Sequence, residues 1–170
     1  MSDLPAPWLV ENVGLIPRDR PILDVACGRG RHALFLARQG WAVHAVDRRP
    51  EVLSDVLVSA AAAGLAITVE KIDLEAGAPS LGDGHYGGVV VFHYLYRPLM
   101  SAIIRAVAPG GVLVYETFTA GQAQRGHPKN PAFLLADGEL PQLVRPLEIL
   151  RAREGEFDGK LLASVVAARR

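Results

Sequence analysis

The sequence predicts an α/β domain with a mostly parallel sheet that ends in an antiparallel hairpin. Three observations carry this. From Pro21 onward, short apolar runs alternate with amphipathic stretches of helical length. The first apolar run stops in a glycine-rich turn that feeds the next helix. The last two runs are joined by Asp158-Gly159, a pair that tolerates positive φ and marks a tight hairpin.

The elements follow in order. Pro5, Pro7 and Pro17 punctuate an N-terminal segment, residues 1–20, in which Trp8, Leu9, Val10 and Val13 predict a brief amphipathic helix. Residues 21–170 form the main domain. Pro21 to Ala26 reads as a buried strand, and Arg31 to Gln39 as a helix that Gly40 closes. Ala42 to Asp47 is a second strand. Pro50 suits the first position of a helix running to about Ala63, stopped by Gly64. Ala66 to Asp73 is a third strand. Tyr86 to Tyr94 lacks polar alternation, so it should be buried on both faces. Pro98 to Ala108 is read as a helix ending at Pro109-Gly110-Gly111, and Val112 to Glu116 as the fifth strand. Glu148 to Phe157 and Lys160 to Arg169 complete the hairpin. Right-handed crossovers then follow from the strand–helix alternation.

Bulk properties narrow the function. The 170 residues fit one domain. The formal net charge is zero, and nucleic acid binding normally needs a basic surplus. Arg29, Arg31, Arg48 and Arg49 read as solvated surface. The single cysteine, Cys27, excludes a disulfide within the chain and suits a reducing, cytoplasmic setting. Neither a signal-peptide pattern nor an apolar run long enough for a bilayer is expected. No metal site is read from the sequence, and a homodimer is left open.

The chemistry concentrates where strands end. Gly28 and Gly30 let backbone approach a ligand, and the helix that follows offers free N–H groups. Asp47 ends the second strand, where an acid can accept from ribose hydroxyls; Asp73, after the third, is placed to accept from an adenine amino group. Gly28 to Ala33 also matches the dinucleotide pattern, so a nicotinamide or flavin protein competes. Asp24, inside the first strand, argues against a pyrophosphate and for a ligand carrying an ammonium and a sulfonium.

These residues resemble a known family. Ile22-Leu23-Asp24-Val25-Ala26-Cys27-Gly28-Arg29-Gly30-Arg31-His32 is similar to motif I of class I S-adenosylmethionine-dependent methyltransferases. Val43 to Asp47 resembles the acidic motif, Tyr86 to Tyr94 motif IV, and Val107 to Leu113 the Pro-Gly-Gly turn before the fifth strand. A finer likeness, to small tellurite-resistance-type methyltransferases, rests on Ala26 to His32, Glu116-Thr117-Phe118 and Asn130 to Leu135. The resemblance implies a single Rossmann-like domain with seven strands in the order 3-2-1-4-5-7-6 and S-adenosyl-L-methionine as cofactor. It implies a cofactor site of Asp24, Ala26, Cys27, Gly28, Gly30, His32, Asp47, Arg48, Ile72, Asp73, Leu74 and Phe92. Many members carry Gly where this chain has Ala26. Cys27 becomes a cofactor-loop residue instead of a nucleophile. A non-catalytic binding module for the same cofactor is the alternative to an enzyme.

Methyl transfer from a sulfonium is an in-line displacement with a neutral leaving group, so positioning and desolvation dominate. Aromatic faces at Phe92, Tyr94 and Tyr96 are candidates to hold the sulfonium. His93, Tyr94 and Glu116, at the ends of the fourth and fifth strands, are the candidate catalytic residues. The polar segment Thr119 to Pro131 reads as a substrate loop or lid carrying Gln122, Arg125, His127 and Asn130, with Arg97 nearby. A small-molecule acceptor is expected.

Overall fold

The computed structural model describes residues 2–77 and 79–170; Met1, the first residue of the expected N-terminal segment, lies outside them. The elements are α1 (Pro7–Asn12), β1 (Ile22–Val25), α2 (Arg31–Arg38), β2 (Val43–Asp47), α3 (Pro50–Ala63), β3 (Ile67–Lys71), β4 (Tyr86–Phe92), α4 (Met100–Ala106), β5 (Val107–Phe118), α5 (Glu139–Leu143), β6 (Glu148–Phe157) and β7 (Lys160–Ala168). One seven-stranded sheet has the order β3-β2-β1-β4-β5-β7-β6. β3, β2, β1, β4 and β5 run parallel, whereas β7 pairs antiparallel with both β5 and β6.

The sheet separates two apolar layers. Leu23, Val25, Val89, Val91, Leu113 and Tyr115 point to the side covered by α4 and α5. Ile22, Val43, Ala45, Val90, Val112 and Val114 point to the side covered by α1, α2 and α3. The alternation within each strand follows from the two-residue period of pleated backbone. β4 is buried along its whole length because helices cover both its faces. The N-terminal helix shares the second layer: Leu9 is fully buried, and the Trp8 indole N–H donates to the Val165 carbonyl of β7 at 3.2 Å.

Several boundaries differ from expectation for local reasons. β4 ends at Phe92, not Tyr94, because His93 takes a left-handed φ of 55° that breaks the pleat. The helix expected over Pro98 to Ala108 is a 3-10 turn (Arg97–Leu99) followed by α4, and β5 starts earlier than expected, at Val107. Val107 and Ala108 are fully buried, so the sheet claims them. Pro109-Gly110-Gly111 is carried within that strand, where Gly110 N–H donates to Arg169 O at 2.7 Å. β3 is shorter than Ala66 to Asp73 and mostly exposed, as an edge strand.

The turn between β1 and α2 is the tightest junction of the fold. Gly30 has a φ of 80°, and a Cβ there would lie 2.6 Å from Cγ2 of Val56 on α3. Gly30→Ala is therefore expected to destabilise by about 2–4 kcal/mol, combining left-handed strain with overpacking. Adding Val56→Ala should recover the packing part only. Urea unfolding midpoints of the single and double variants measure this; a Gly30→Ala midpoint equal to wild type would contradict it.

Candidate functional site

A cavity of about 980 Å3 opens at the carboxyl ends of the parallel strands. This is where open α/β sheets place ligands, since the connecting loops diverge there. One rim is formed by Ala26 after β1, by Asp47, Arg48 and Arg49 after β2, and by Asp73, Leu74 and Glu75 after β3. His93, Tyr94 and Leu95 after β4 and Phe118 at the end of β5 form the other rim, with the strap His127 to Asn130 and Phe133 above them.

Hydrogen bonds fix the first rim. Cys27 N–H donates to Val46 O and Gly30 N–H to Cys27 O, both at 3.0 Å. The Asp47 carboxylate accepts from Gly28 N–H at 2.9 Å on Oδ2, and from Arg49 N–H at 3.0 Å and its Nε–H at 3.3 Å on Oδ1. A carboxylate has about four acceptor positions. The turn thus uses most of this one, and one position on Oδ2 remains open toward a ligand hydroxyl. Asp73 Oδ1 accepts from Glu75 N–H at 3.1 Å, and the residue lines the cavity. Ala26 adopts a φ of 54°, the conformation for which Gly is better suited.

Asp24 lies behind this turn, 2 % exposed, and its Oδ2 is buried without a hydrogen-bond partner. Burial raises its carboxyl to about 7; the Ala33 amide and the Arg31 guanidinium pull the other way. An unpartnered buried acceptor is costly unless a ligand fills it. A cation is the species that would. Asp24 is not itself among the residues that line the cavity; Ala26, two residues on, is. The Asp47 and Asp73 carboxylates on the rim fit a ligand that carries a nucleoside, and the orphaned oxygen behind them fits a cationic group.

The opposite rim is aromatic. The His93 ring sits 4.6 Å from that of Phe118. Burial, then the charges of Arg31 and Lys160, push its imidazole down to about 4, so it is neutral at physiological pH and a weaker base than a free imidazole. The Tyr94 hydroxyl is buried and unpartnered, and burial pushes its pKa up, so it stays a neutral donor.

Other expected site residues stand away from the cavity walls. Glu116 is 2 % exposed and faces the α1–α2 side, where its Oε2 accepts from Ser164 Oγ at 2.6 Å and Arg153 Nη2 at 3.3 Å. Glu116 shares a face of β5 with Phe118, but it lies one pleat further from the open strand end, where Ser164 and Arg153 enclose it. His32 Nε2 accepts from Ala6 N–H at 3.1 Å and its ring packs 4.2 Å from Phe92, so both hold the N-terminal segment to the core. The Cys27 thiol is buried and its pKa is pushed far up, chiefly by desolvation, so it is inert as a nucleophile. Gly28 and Gly30 act through backbone geometry, and Ile72 packs against the core behind Leu74. In the strap, Gln122 is a brace: it donates to His127 O at 3.3 Å and accepts from Leu161 N–H at 2.9 Å. Arg125 pairs with Glu156 on the surface. Arg97 is committed to Glu139 at 2.7 and 2.8 Å, not to a ligand anion. Of the expected strap residues, His127 and Asn130 line the cavity. Sequence reasoning assigned no site role to Arg49, Glu75, Leu95, Phe118, Pro128, Lys129 or Phe133. Phe118 and Phe133 stood inside stretches already singled out; only the folded strap brings them together.

Comparison with known proteins agrees with this geometry. The methyltransferase domain family matches residues 22–111, more than half of the chain. The fold is similar to that of TehB from Haemophilus influenzae, with a TM-score of 0.80 at 19% identity over 95% of this chain and 61% of that one. It is also similar to a TehB-like SAM-dependent methyltransferase from Corynebacterium glutamicum, with a TM-score of 0.72 at 20% identity over 96% of this chain and 87% of that one. A protein named Hemagglutinin 1, from Eikenella corrodens, is 30% identical over 138 residues, 78% of this chain. The chain spans 45% of that relative's length. This chain belongs to the methyltransferase domain family. Among the described residues, no helix is long and apolar enough to cross a membrane.

The titration of the two buried groups has opposite consequences. Asp24 is raised in the fold, so its protonated form favours the native state at low pH, and that contribution is lost as pH rises from about 4 to 7. His93 is lowered, so the native state is disfavoured as pH falls from about 6.5 to 4. At pH 8, Asp24→Asn should stabilise the ligand-free protein by on the order of 2 kcal/mol, because a buried charge is removed. Thermal unfolding at pH 8 and pH 5 reads this: the gain should shrink at the lower pH, and a loss at pH 8 would refute it. For His93, an imidazole resonance titrating near 6.5 instead of near 4 would show that the ring is not desolvated as described.

Proposed function

We propose that the chain is an S-adenosyl-L-methionine-dependent methyltransferase acting on a small-molecule acceptor. The observation that carries this is the unpartnered Oδ2 of Asp24, buried beneath a glycine turn whose cavity is rimmed by Asp47 and Asp73. A dinucleotide would bring a pyrophosphate against that buried carboxylate, an arrangement that Coulomb's law penalises. Membership in the methyltransferase domain family supports the same choice.

S-adenosyl-L-methionine supplies an electrophilic methyl group on a sulfonium. The chain's own residues do the rest. Asp24 offsets a positive charge, and Asp47 and Asp73 orient the nucleoside. Leu74 and the turn exclude water on one side, and Phe118 on the other. His93, neutral and rigidly placed by its N–H bond to Glu116 O at 2.9 Å, takes up a proton where the acceptor carries one. A buried single thiol suits a reducing compartment, and we place the protein in the cytoplasm.

Isothermal titration calorimetry tests the reading. S-adenosylhomocysteine should bind and NAD should not; the reverse preference overturns it. Asp47→Ala should weaken that affinity by about 1–3 kcal/mol, since the turn and one ligand hydrogen bond lose their acceptor. Unchanged affinity would remove Asp47 from the site. A methylation screen over thiols, phenols, oxyanions and amines separates an enzyme from a non-catalytic binding module: binding without any product identifies the latter.

A further inference from the structure

We infer that the half of the cavity bounded by β4, β5 and the strap is built for a planar aromatic anion, which is the methyl acceptor; this rests on the methyltransferase reading. Phe133 is 44 % exposed and lines the cavity. Its position is not accidental. Arg97 donates to the carbonyls on both sides of it, Ala132 O at 3.2 Å and Leu134 O at 2.9 Å, while the same guanidinium grips Glu139. Phe133 N–H donates to Asn130 O at 3.0 Å. A phenyl ring is thus clamped in place facing a water-filled space, which forgoes the burial that apolar surface otherwise gains. On the same rim, Phe118 is half-buried and its ring packs 4.6 Å from that of His93. Two phenyl rings on one cavity offer an aryl ligand aromatic surface to pack against.

Among the described residues, carboxylates occur on one half only. Asp47, Asp73 and Glu75 stand on the β2–β3 rim, where Arg48 and Arg49 accompany them. The aromatic rim has no lining carboxylate among them; its ionisable side chains are His93, Tyr94, His127 and the cationic Lys129. Arg31 and Lys160 add positive potential at His93. A ligand with an aryl body and an anionic head matches this half. At about 980 Å3 the cavity is at the upper end of the ~300–1,000 Å3 usual for ligand sites, which leaves space beside a nucleoside. A bare inorganic oxyanion would leave both phenyl faces in water. An aliphatic anion would not use their stacking geometry.

The test is a calorimetric titration with 4-nitrothiophenolate, carried out with and without S-adenosylhomocysteine. Aliphatic 2-mercaptoethanesulfonate and inorganic selenite are the comparison probes. The aryl probe should bind about tenfold more tightly than either, a preference that stacking can supply. Phe133→Ala should erase most of that preference, and Phe133→Tyr should keep it. Arg97→Gln, which frees the strap without touching the ring, should weaken aryl binding partially. S-adenosylhomocysteine affinity in these three variants should stay at the wild-type value, which also shows that they are folded. Equal affinity for the three probes, or aryl affinity indifferent to Phe133→Ala, overturns the inference. Aryl binding that depends on Phe133 without any S-adenosylhomocysteine binding overturns the methyltransferase reading and leaves the aryl site standing. S-adenosylhomocysteine binding without aryl binding overturns the aryl site alone.

Discussion

The turn between β1 and α2 is held against α3 by the absence of a side chain at Gly30 and against β2 by the Asp47 carboxylate. Asp24 is buried because that turn closes over it. Every feature of the cavity's first rim follows from this closure. If the turn were looser, water would reach Asp24 Oδ2, and the carboxylate would have no need of a cationic ligand. If Asp47 were elsewhere, the Gly28 N–H would be unanchored and the rim would lose its shape. A few short contacts therefore convert a generic strand–helix junction into a charged receptor. They do so at a cost to the empty fold, since the carboxylate sits in apolar surroundings without a full set of partners.

The other rim is fixed from the far edge of the sheet. The antiparallel strand β7 supplies Leu161 N–H to Gln122, and Gln122 in turn holds His127 O. Arg97, just past β4, ties the strap's other end to α5 through Glu139. The strap is thus braced by polar side chains that do not face the cavity, leaving Phe133, Lys129 and Asn130 to face it. The same division holds on the opposite side of the sheet. There Glu116, Ser164 and Arg153 satisfy one another beneath α1, with the Arg153 guanidinium over Trp8 and Phe157. Two buried carboxylates near strand ends, Asp24 on β1 and Glu116 on β5, thus differ: Asp24 keeps an unpartnered oxygen, whereas Glu116 is hydrogen-bonded to Ser164 and Arg153.

Two buried titrating groups, Asp24 behind one rim and His93 on the other, have opposite electrical needs. Burial is the chief cause in both: it opposes ionisation of Asp24 despite the Arg31 charge, and it opposes protonation of His93, to which Arg31 and Lys160 add further positive charge. A cation settling near Asp24 relieves the first, and an anion settling near His93 matches the second. The two halves of the cavity region thus differ in electrical character, which is the basis of the donor and acceptor halves proposed above.

The fold was largely written in the sequence. Strand-and-helix alternation, Pro50 before and Gly64 after α3, and Asp158-Gly159 between β6 and β7 are local signals, and their elements fall where expected. The glycine turn and the strand-end acids were legible because sequence-adjacent residues build them. Which way a side chain faces at a strand end was not legible. Glu116 and Phe118 lie on the same strand, two residues apart, yet Glu116 is enclosed by Ser164 and Arg153 whereas Phe118, the last residue of β5, stands at the open strand end and lines the cavity. Nor could the sequence tell that Arg97 clamps a backbone instead of a ligand, or that His32 anchors the N-terminus. Those roles depend on contacts between residues far apart in the chain, such as Arg97 with Glu139 and His32 with Ala6, which packing alone brings within hydrogen-bond distance.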